Sequence, residues 1–467
     1  MTNSLISLLA FVVTLGVLIT VHEFGHFWVA RRLGVKVLRF SIGFGRPLWR
    51  RYGRDGTEYV IAALPLGGYV KMLDEREGEV QPEELPQAFN RKPVGSRLAI
   101  VLAGPFCNFL FAVLAYVLMF SVGVPGTKPI LDNPKPGSLA AMGGFQKGDL
   151  VVAIDGKPTP TLSAVMLALV DRAMAEEVIQ VQVLPECETG CDVGLSGVNQ
   201  TRIVTRPLDA RNAPELADAA LVFDRVGLVP LRPVLPAVIG QIAPGGAAER
   251  AGLQPGDRIV LADGAPVADW QHWRTIIELH PDQPFSIRIE RGGTERVLEI
   301  MPAAKENEEG KRVGFIGAVA DVPEDLARSF QIVVRYGPLD AISAAIGKTW
   351  DMSLLTLRML GRMLIGKASL DNISGPLTIA QFAGQAANAG IMAFLAMLAL
   401  VSLSLGVLNL LPVPVLDGGH ALYYLIEWVR GSPLPEAVQN LGQQVGIAVL
   451  LLLMGLALFN DFSRLLG

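Results

Sequence analysis

The chain has 467 residues, 51% hydrophobic and 18% charged, with a formal net charge of −4. That length allows three or four domains. The balance is membrane-like, yet too polar for an all-helical transporter, and no motif points to nucleic acid.

The first predicted element is an apolar helix over roughly Leu5 to Leu33, uncharged from Leu5 to Thr20. It lacks a basic leader and a small-residue cleavage site, so it reads as a retained span rather than a signal peptide. It carries His22-Glu-Phe-Gly-His26. A helix turns once in about 3.6 residues, which puts His22 and His26 on one face, spaced to grip one zinc ion. Glu23 lies off that line and suits a general base toward a nucleophilic water. An ionisable group so deep in an apolar span is costly, and so points to function. The bland alternative is a pair of polar residues near lipid headgroups. Arg31, Arg32, Lys36, Arg39, Arg46, Arg50, Arg51 and Arg54 follow, placing the next loop in the cytoplasm by the positive-inside rule.

Val37–Ile42 and Tyr59–Ala63 read as short strands among glycines, and Leu64–Met72 as an apolar stretch broken by Pro65, Gly67 and Gly68. Such backbone enters a membrane only where protein or a cavity satisfies it. Beside an active site it could pair with an extended substrate; an ordinary hairpin is the alternative. Asp74 to Pro86 reads as an acidic, flexible loop.

A second span is expected over Leu98 to Val122, starting in the cytoplasm. Within it, Cys107 reads as a buried thiol. Asn108 could bond to another helix, although packing is the simpler reading. From Gly123 to about Ala386 no apolar run is long enough to span, so this region is expected outside the cytoplasm. It holds an internal repeat: Gly144-Phe-Gln-Lys-Gly-Asp149 to Gly156 matches Gly252-Leu-Gln-Pro-Gly-Asp257 to Gly264. Cys187 and Cys191 bracket a turn outside the cytoplasm, where a disulfide is the favoured reading. Ile342, Ile346, Trp350, Leu354, Leu357 and Leu364 recur at helical spacing, as an interfacial helix or one packed in a core. Ser369 to Pro376 reads as a turn.

The third span covers roughly Ile391 to Leu411 and runs into Asn409-Leu-Leu-Pro-Val-Pro-Val-Leu-Asp417-Gly-Gly419. Pro412 and Pro414 break the helix. Catalytic zinc needs three protein ligands and one open position, and Asp417 is the best third candidate. His420 ranks below it, and an ordinary Asp-Gly turn is the alternative. A fourth span is expected over Val445 to Phe459, extended back through Gln443 or tilted.

Each copy of the repeat closely resembles the PDZ pattern. Val226-Gly-Leu228 is expected to be the peptide-binding loop of the second copy, with no equivalent placed in the first. Across its whole length, by the His22–His26 motif, the paired repeats and Asn409–Gly418, the chain resembles the site-2 protease family of intramembrane zinc metalloproteases. The resemblance implies one zinc on His22, His26 and Asp417, and Glu23 as general base. It also implies that Asn409 holds the substrate strand or steadies the tetrahedral intermediate. Gly67 and Gly68 are assigned to substrate binding. The implied substrates are single-span membrane proteins: an anti-sigma factor after a first cut, and remnant signal peptides, in an envelope stress response. The implied location is the bacterial inner membrane, with PDZ-like domains in the periplasm.

The expected fold is thus a polytopic α-helical membrane protein with four transmembrane helices, a small membrane-associated β-element and two tandem PDZ-like α+β domains. The expected divisions are the first transmembrane helix 1–36, the β-element and acidic loop 37–96, and the second transmembrane helix 97–122. The PDZ-like domains follow at 123–222 and 223–305, then an amphipathic helical region 306–386. The third transmembrane helix takes 387–419, and a cytoplasmic loop with the fourth takes 420–467. The rival reading is a non-catalytic membrane scaffold tethering partners through PDZ-like domains; zinc content separates the two.

Overall fold

A computed structural model describes residues 2–173, 178–187, 202–211, 222–307, 310–366 and 375–466. The chain divides into two compact units, one of residues 1–124 with 334–467 and one of residues 125–333.

The first unit is built on helices. They are α1 (Thr2–Arg32), α2 (Val94–Val122), α3 (Pro338–Leu364), α4 (Pro376–Ala389), α5 (Ile391–Asn409), α6 (Asp417–Arg430) and α7 (Glu436–Leu466). Four of the described helices are long and apolar enough to cross a membrane: Leu5–Arg32, Val94–Val122, Ile391–Asn409 and Glu436–Ser463. The fourth is longer than the expected Val445–Phe459, because no proline lies between Glu436 and Val445 and the single Gly442 does not stop the helix. Phe24 and Trp28 on α1 are about half exposed, on the side away from the packed face that holds Gly25, His26 and Ala30.

Helix α2 packs against α1, α3, α5 and α6. Ala112, Ala115, Met119, Ala399, Leu403 and Val407 make one buried seam there. Small residues let the backbones come close, which is how helices associate where lipid removes the hydrophobic drive. At Gly25 an added Cβ would collide with the Ala103 carbonyl.

Two ionic ties fix the later helices. Arg97 on α2 forms a bidentate pair with Glu427 on α6, at 2.6 and 3.1 Å, and stacks over Tyr424. Asp461 on α7 is 1% exposed. Its carboxylate accepts bonds from the backbone N–H groups of Gly375, Leu377 and Thr378 and from the Thr378 hydroxyl. It thereby caps the N-terminus of α4, where four N–H groups have no partner within the helix.

The strands β1 (Val37–Tyr52) and β2 (Glu58–Met72) pair antiparallel. They are longer than the short strands expected, and Leu64–Met72 joins β2 rather than forming a separate broken stretch. The first half of β1 pairs on both sides: Ile42 faces Ile61 and Gly68, and Phe40 faces Tyr59 and Val70. The second half, Pro47–Tyr52, pairs with Ala62–Glu58. Gly68–Met72 is therefore an edge, paired on one side with Val37–Ile42. Gly67 has a φ of +146°, a conformation that side chains rarely adopt, and an added Cβ there would strike the Phe44 ring. In the acidic loop Asp74 is 9% exposed and bonded to Arg76, so this end is anchored rather than loose.

The second unit contains two four-stranded sheets of the same order. One runs Lys157–Pro158, Leu150–Ile154, Val178–Leu184, Val204–Asp209, and the other Ala265–Pro266, Arg258–Ala262, Phe285–Arg291, Thr294–Ile300. The matching Gly-Asp turns carry buried aspartates. Asp149 accepts from the Gln146 N–H and pairs with Arg206; Asp257 accepts from the Gln254 N–H and pairs with Arg291. The second repeat has a continuous core of Ile239, Ile259, Trp273, Phe285, Ile287 and Ile289. Each such fully buried side chain contributes about 1.5–3 kcal/mol.

Val226-Gly-Leu228 belongs to the first repeat, contrary to the expectation. Lys135 N–H donates to the Gly227 carbonyl, Asp132 N–H to Val229 and Leu231 N–H to Ile130. The second repeat is closed in the same way by its own later segment. Ala243 N–H donates to the Gly317 carbonyl and Asp321 N–H to Val238, and Ala318–Ala320 pairs with Ile239–Ile242. Gly227 and Gly317 share φ values of +77° and +72°. The closing segment of each repeat is supplied from its C-terminal end, as an isolated bridge of Leu131 to Pro230 in the first and a strand in the second, so the expected division at 222/223 cuts through the first repeat. The expected helical region from 306 likewise opens with strands, Arg312–Phe315 and Ala318–Ala320.

Cys187 is buried and disulfide-bonded, while its expected partner Cys191 lies outside the described residues, as does most of the expected turn from Ser369. Cys107 is free. Ile342, Ile346, Trp350 and Leu357 leave an exposed apolar stripe along α3.

Candidate metal centre

Helix α1 presents His22 and His26 one turn apart, and their Nε2 atoms stand 3.3 Å from each other. Asp417 reaches them from the far end of the chain. Its Oδ2 lies 3.1 Å from His22 Nε2 and 3.5 Å from His26 Nε2. These three residues form the one group of possible metal ligands among the described residues. His420 is not in it.

The spacing matches zinc. Bonds of about 2.0–2.1 Å in a tetrahedron separate ligand atoms by roughly 3.3–3.4 Å. The observed separations of 3.1, 3.3 and 3.5 Å bracket that value. Asp417 Oδ2 is buried and accepts no hydrogen bond, as expected of an oxygen whose lone pair is meant for a cation. The three residues therefore fit a zinc ion with a fourth position open.

Local sequence explains how Asp417 arrives. After α5 ends at Asn409, Pro412 and Pro414 deny the backbone two N–H donors and stop the helix. The chain turns tightly, with Val413 N–H bonded to Leu411 and Leu416 N–H to Val413. Val415 has a φ of +104°, a strained conformation for a β-branched residue. Helix α6 then begins at Asp417 itself, folded back onto the end of α5. A Cβ at Gly418 would collide with the Leu410 and Leu411 carbonyls, and one at Gly419 with Val413. The two glycines after Asp417 are thus what lets the carboxylate approach.

Glycine also sets the approach of α2. A Cβ at Gly104 would strike the His26 ring and come within 2.8 Å of His22 Cε1. His26 is held by its other nitrogen: Nδ1–H donates to the Ile100 carbonyl at 2.8 Å. That leaves Nε2 bare, the tautomer a metal ligand needs. Asn108 faces Nδ1 of His22 at 3.0 Å.

Glu23 is half-buried beside the edge of β2. A Cβ added to Gly68 would meet Glu23 Cγ at 3.1 Å, Ile19 Cγ2 at 2.6 Å and the Ser41 carbonyl at 2.7 Å. The structure therefore brings Gly68 against Glu23. Gly67 packs on Phe44 instead. Asn409 is half-buried at the end of α5 and is not one of the grouped ligands. The supporting groups Ile100 and Gly104 were not singled out from sequence. A carbonyl donates no side-chain signal, and a glycine in an apolar run looks like ordinary helix packing.

Known proteins show the family of the chain. The model of Peptidase family M50 matches residues 10–453. The chain is 46% identical over 468 residues to "Regulator of sigma-E protease RseP" of Escherichia coli (strain K12), covering all of both chains. It is 46% identical over 465 residues to "Regulator of sigma E protease" of Salmonella typhi, again covering all of both. A "Putative zinc metalloprotease" of Vibrio cholerae is 40% identical over 465 residues at the same coverage.

Proposed function

The chain belongs to peptidase family M50 and is a zinc metalloprotease; we propose that His22, His26 and Asp417 hold its zinc and that Glu23 is the general base. The observation that carries this reading is the triangle of His22 Nε2, His26 Nε2 and Asp417 Oδ2 at tetrahedral spacing. Bound zinc supplies Lewis acidity, acidifying a water toward neutrality and polarising the scissile carbonyl. Glu23, next in sequence to one ligand and against the β2 edge, takes the proton of the attacking water and passes it to the leaving amide nitrogen.

A helical substrate hides its carbonyls in its own hydrogen bonds, so it must unwind before it is cut. The edge Gly68–Met72 offers unpaired backbone groups to such an extended segment. Gly68 has no side chain to separate that segment from Glu23, and Gly67 makes the bend before it. Asn409 is assigned to the same substrate strand or to the tetrahedral intermediate, on the family resemblance.

The substrates on this reading are single-span membrane proteins, including an anti-sigma factor after a first cut and remnant signal peptides. The names of the Escherichia coli and Salmonella relatives support the sigma-E connection. The enzyme would sit in the bacterial inner membrane, its active site toward the cytoplasm, as the basic residues after α1 suggest. The two repeats would be periplasmic PDZ-like domains, and the exposed stripe of α3 would lie at the lipid interface.

Replacing Glu23 with Gln tests the assignment. Cleavage of a trimmed single-span substrate by the purified chain should be abolished, while zinc remains bound. Full activity in Glu23→Gln would overturn the role of Glu23, and a zinc-free wild type would overturn the metal site.

A further inference from the structure

Asn108 is fully buried on α2, in the apolar middle of the first unit. Its carboxamide lies 3.0 Å from His22 Nδ1, with the amide nitrogen on that side. Its Oδ1 is buried and has no hydrogen-bond partner. The residue cannot drift away. Ser402 on α5 donates to its backbone carbonyl at 3.0 Å, and a Cβ on Gly406 would touch its Cβ at 3.4 Å.

The direction of this one hydrogen bond decides whether His22 can bind a metal. If Asn108 Nδ2 donates, His22 Nδ1 is the acceptor. The ring proton then sits on Nε2, pointing at Asp417, and no lone pair faces the metal position. If Oδ1 faces the ring, Nδ1–H is the donor and Nε2 is bare. The carboxamide exchanges these two faces by a half-turn about its terminal bond, with almost no change in shape. The half-turn also gives the unpartnered oxygen an N–H to accept from.

We propose that Asn108 is a positioning residue for the metal centre: its Oδ1 accepts from His22 Nδ1–H and so fixes the ring in the tautomer whose Nε2 binds zinc. It does for His22 what the Ile100 carbonyl does for His26. Both imidazoles of α1 are then oriented from α2, one by a main-chain oxygen and one by a side-chain oxygen. This rests on the metal assignment made above.

The test is zinc affinity, read by chelator competition on the purified full-length chain without any substrate. Asn108→Leu keeps the branched outline and removes the acceptor; affinity should fall about 10–100-fold, the usual effect of losing such a partner. Asn108→Asp can accept but not donate, and should hold zinc as the wild type does. Unchanged affinity in Asn108→Leu overturns the proposal. An Asp variant as weak as the Leu variant, with the same melting behaviour as wild type, overturns the stated direction of the bond. Nitrogen-15 spectra of histidine in the zinc-free wild type need no variant: a proton on Nδ1 of His22 is expected, and its absence overturns the proposal. His22→Ala separates the two readings. If it loses zinc while Asn108→Leu does not, only the role of Asn108 fails; if it keeps zinc, the metal site itself fails.

Discussion

Oδ2 of Asp417 stands 3.1 Å from Nε2 of His22, joining the first helix to a helix near the end of the chain. The contact depends on both partners being held from outside, His22 by α2 and Asp417 by the strained turn at Val415 and the glycines behind it.

Asp417→Ala leaves two histidines and removes the third corner of the triangle. Zinc affinity should fall by more than the roughly 10–100-fold that losing a supporting partner costs. Equilibrium dialysis against a chelator checks this, and zinc bound at wild-type strength would contradict it.

Gly68→Val places branched carbons where Ile19, Ser41 and Glu23 already stand. The β2 edge must shift away from Glu23. Because displacements of about 1 Å near a reacting group cost on the order of 100-fold in rate, cleavage should drop by at least ~10-fold. Zinc content should stay at the wild-type level, which distinguishes this defect from that of Asp417→Ala.

Asp461→Ala removes the acceptor for three backbone N–H groups and one hydroxyl at the start of α4. Loss of charge-assisted bonds in a buried place should cost about 2–3 kcal/mol, seen as a lower melting temperature in detergent. Asp461→Asn keeps part of the acceptor capacity and should fall between.

Asp74 supplies a pH signature outside the membrane spans. Burial alone would raise its carboxyl, but the side-chain and backbone bonds from Arg76, and that residue's charge, outweigh burial and hold it below the ordinary value. A depressed folded value means the stabilisation is complete above the unfolded value of about 3.9 and is lost as pH falls through the folded one. Melting temperature should therefore decline on the acid side more steeply for wild type than for Asp74→Asn. Parallel curves would show that this carboxylate contributes nothing.

Much of the centre was legible because its chemistry is local. His22, Glu23 and His26 lie on one helical turn, and Asp417 follows two prolines that announce a broken helix. The four apolar helices were equally plain, since length and hydropathy suffice. The closing segments of the repeats were not, because a stretch such as Val226–Leu228 reads the same whichever neighbour it bonds to. Only the bonds from Lys135 and Asp132 show the direction. The span of β2 was missed for a related reason. Pro65 and Gly67 look like breaks until pairing with β1 supplies partners for the intervening backbone.

The Asp461 cap has a mechanical corollary. Helices α4 and α7 share one carboxylate, and pulling them apart would strand a buried charge and several amide hydrogens without their partners. They should therefore travel as a single rigid pair. If the bundle parts to admit a substrate from the lipid, the seam that gives way lies elsewhere than between these two.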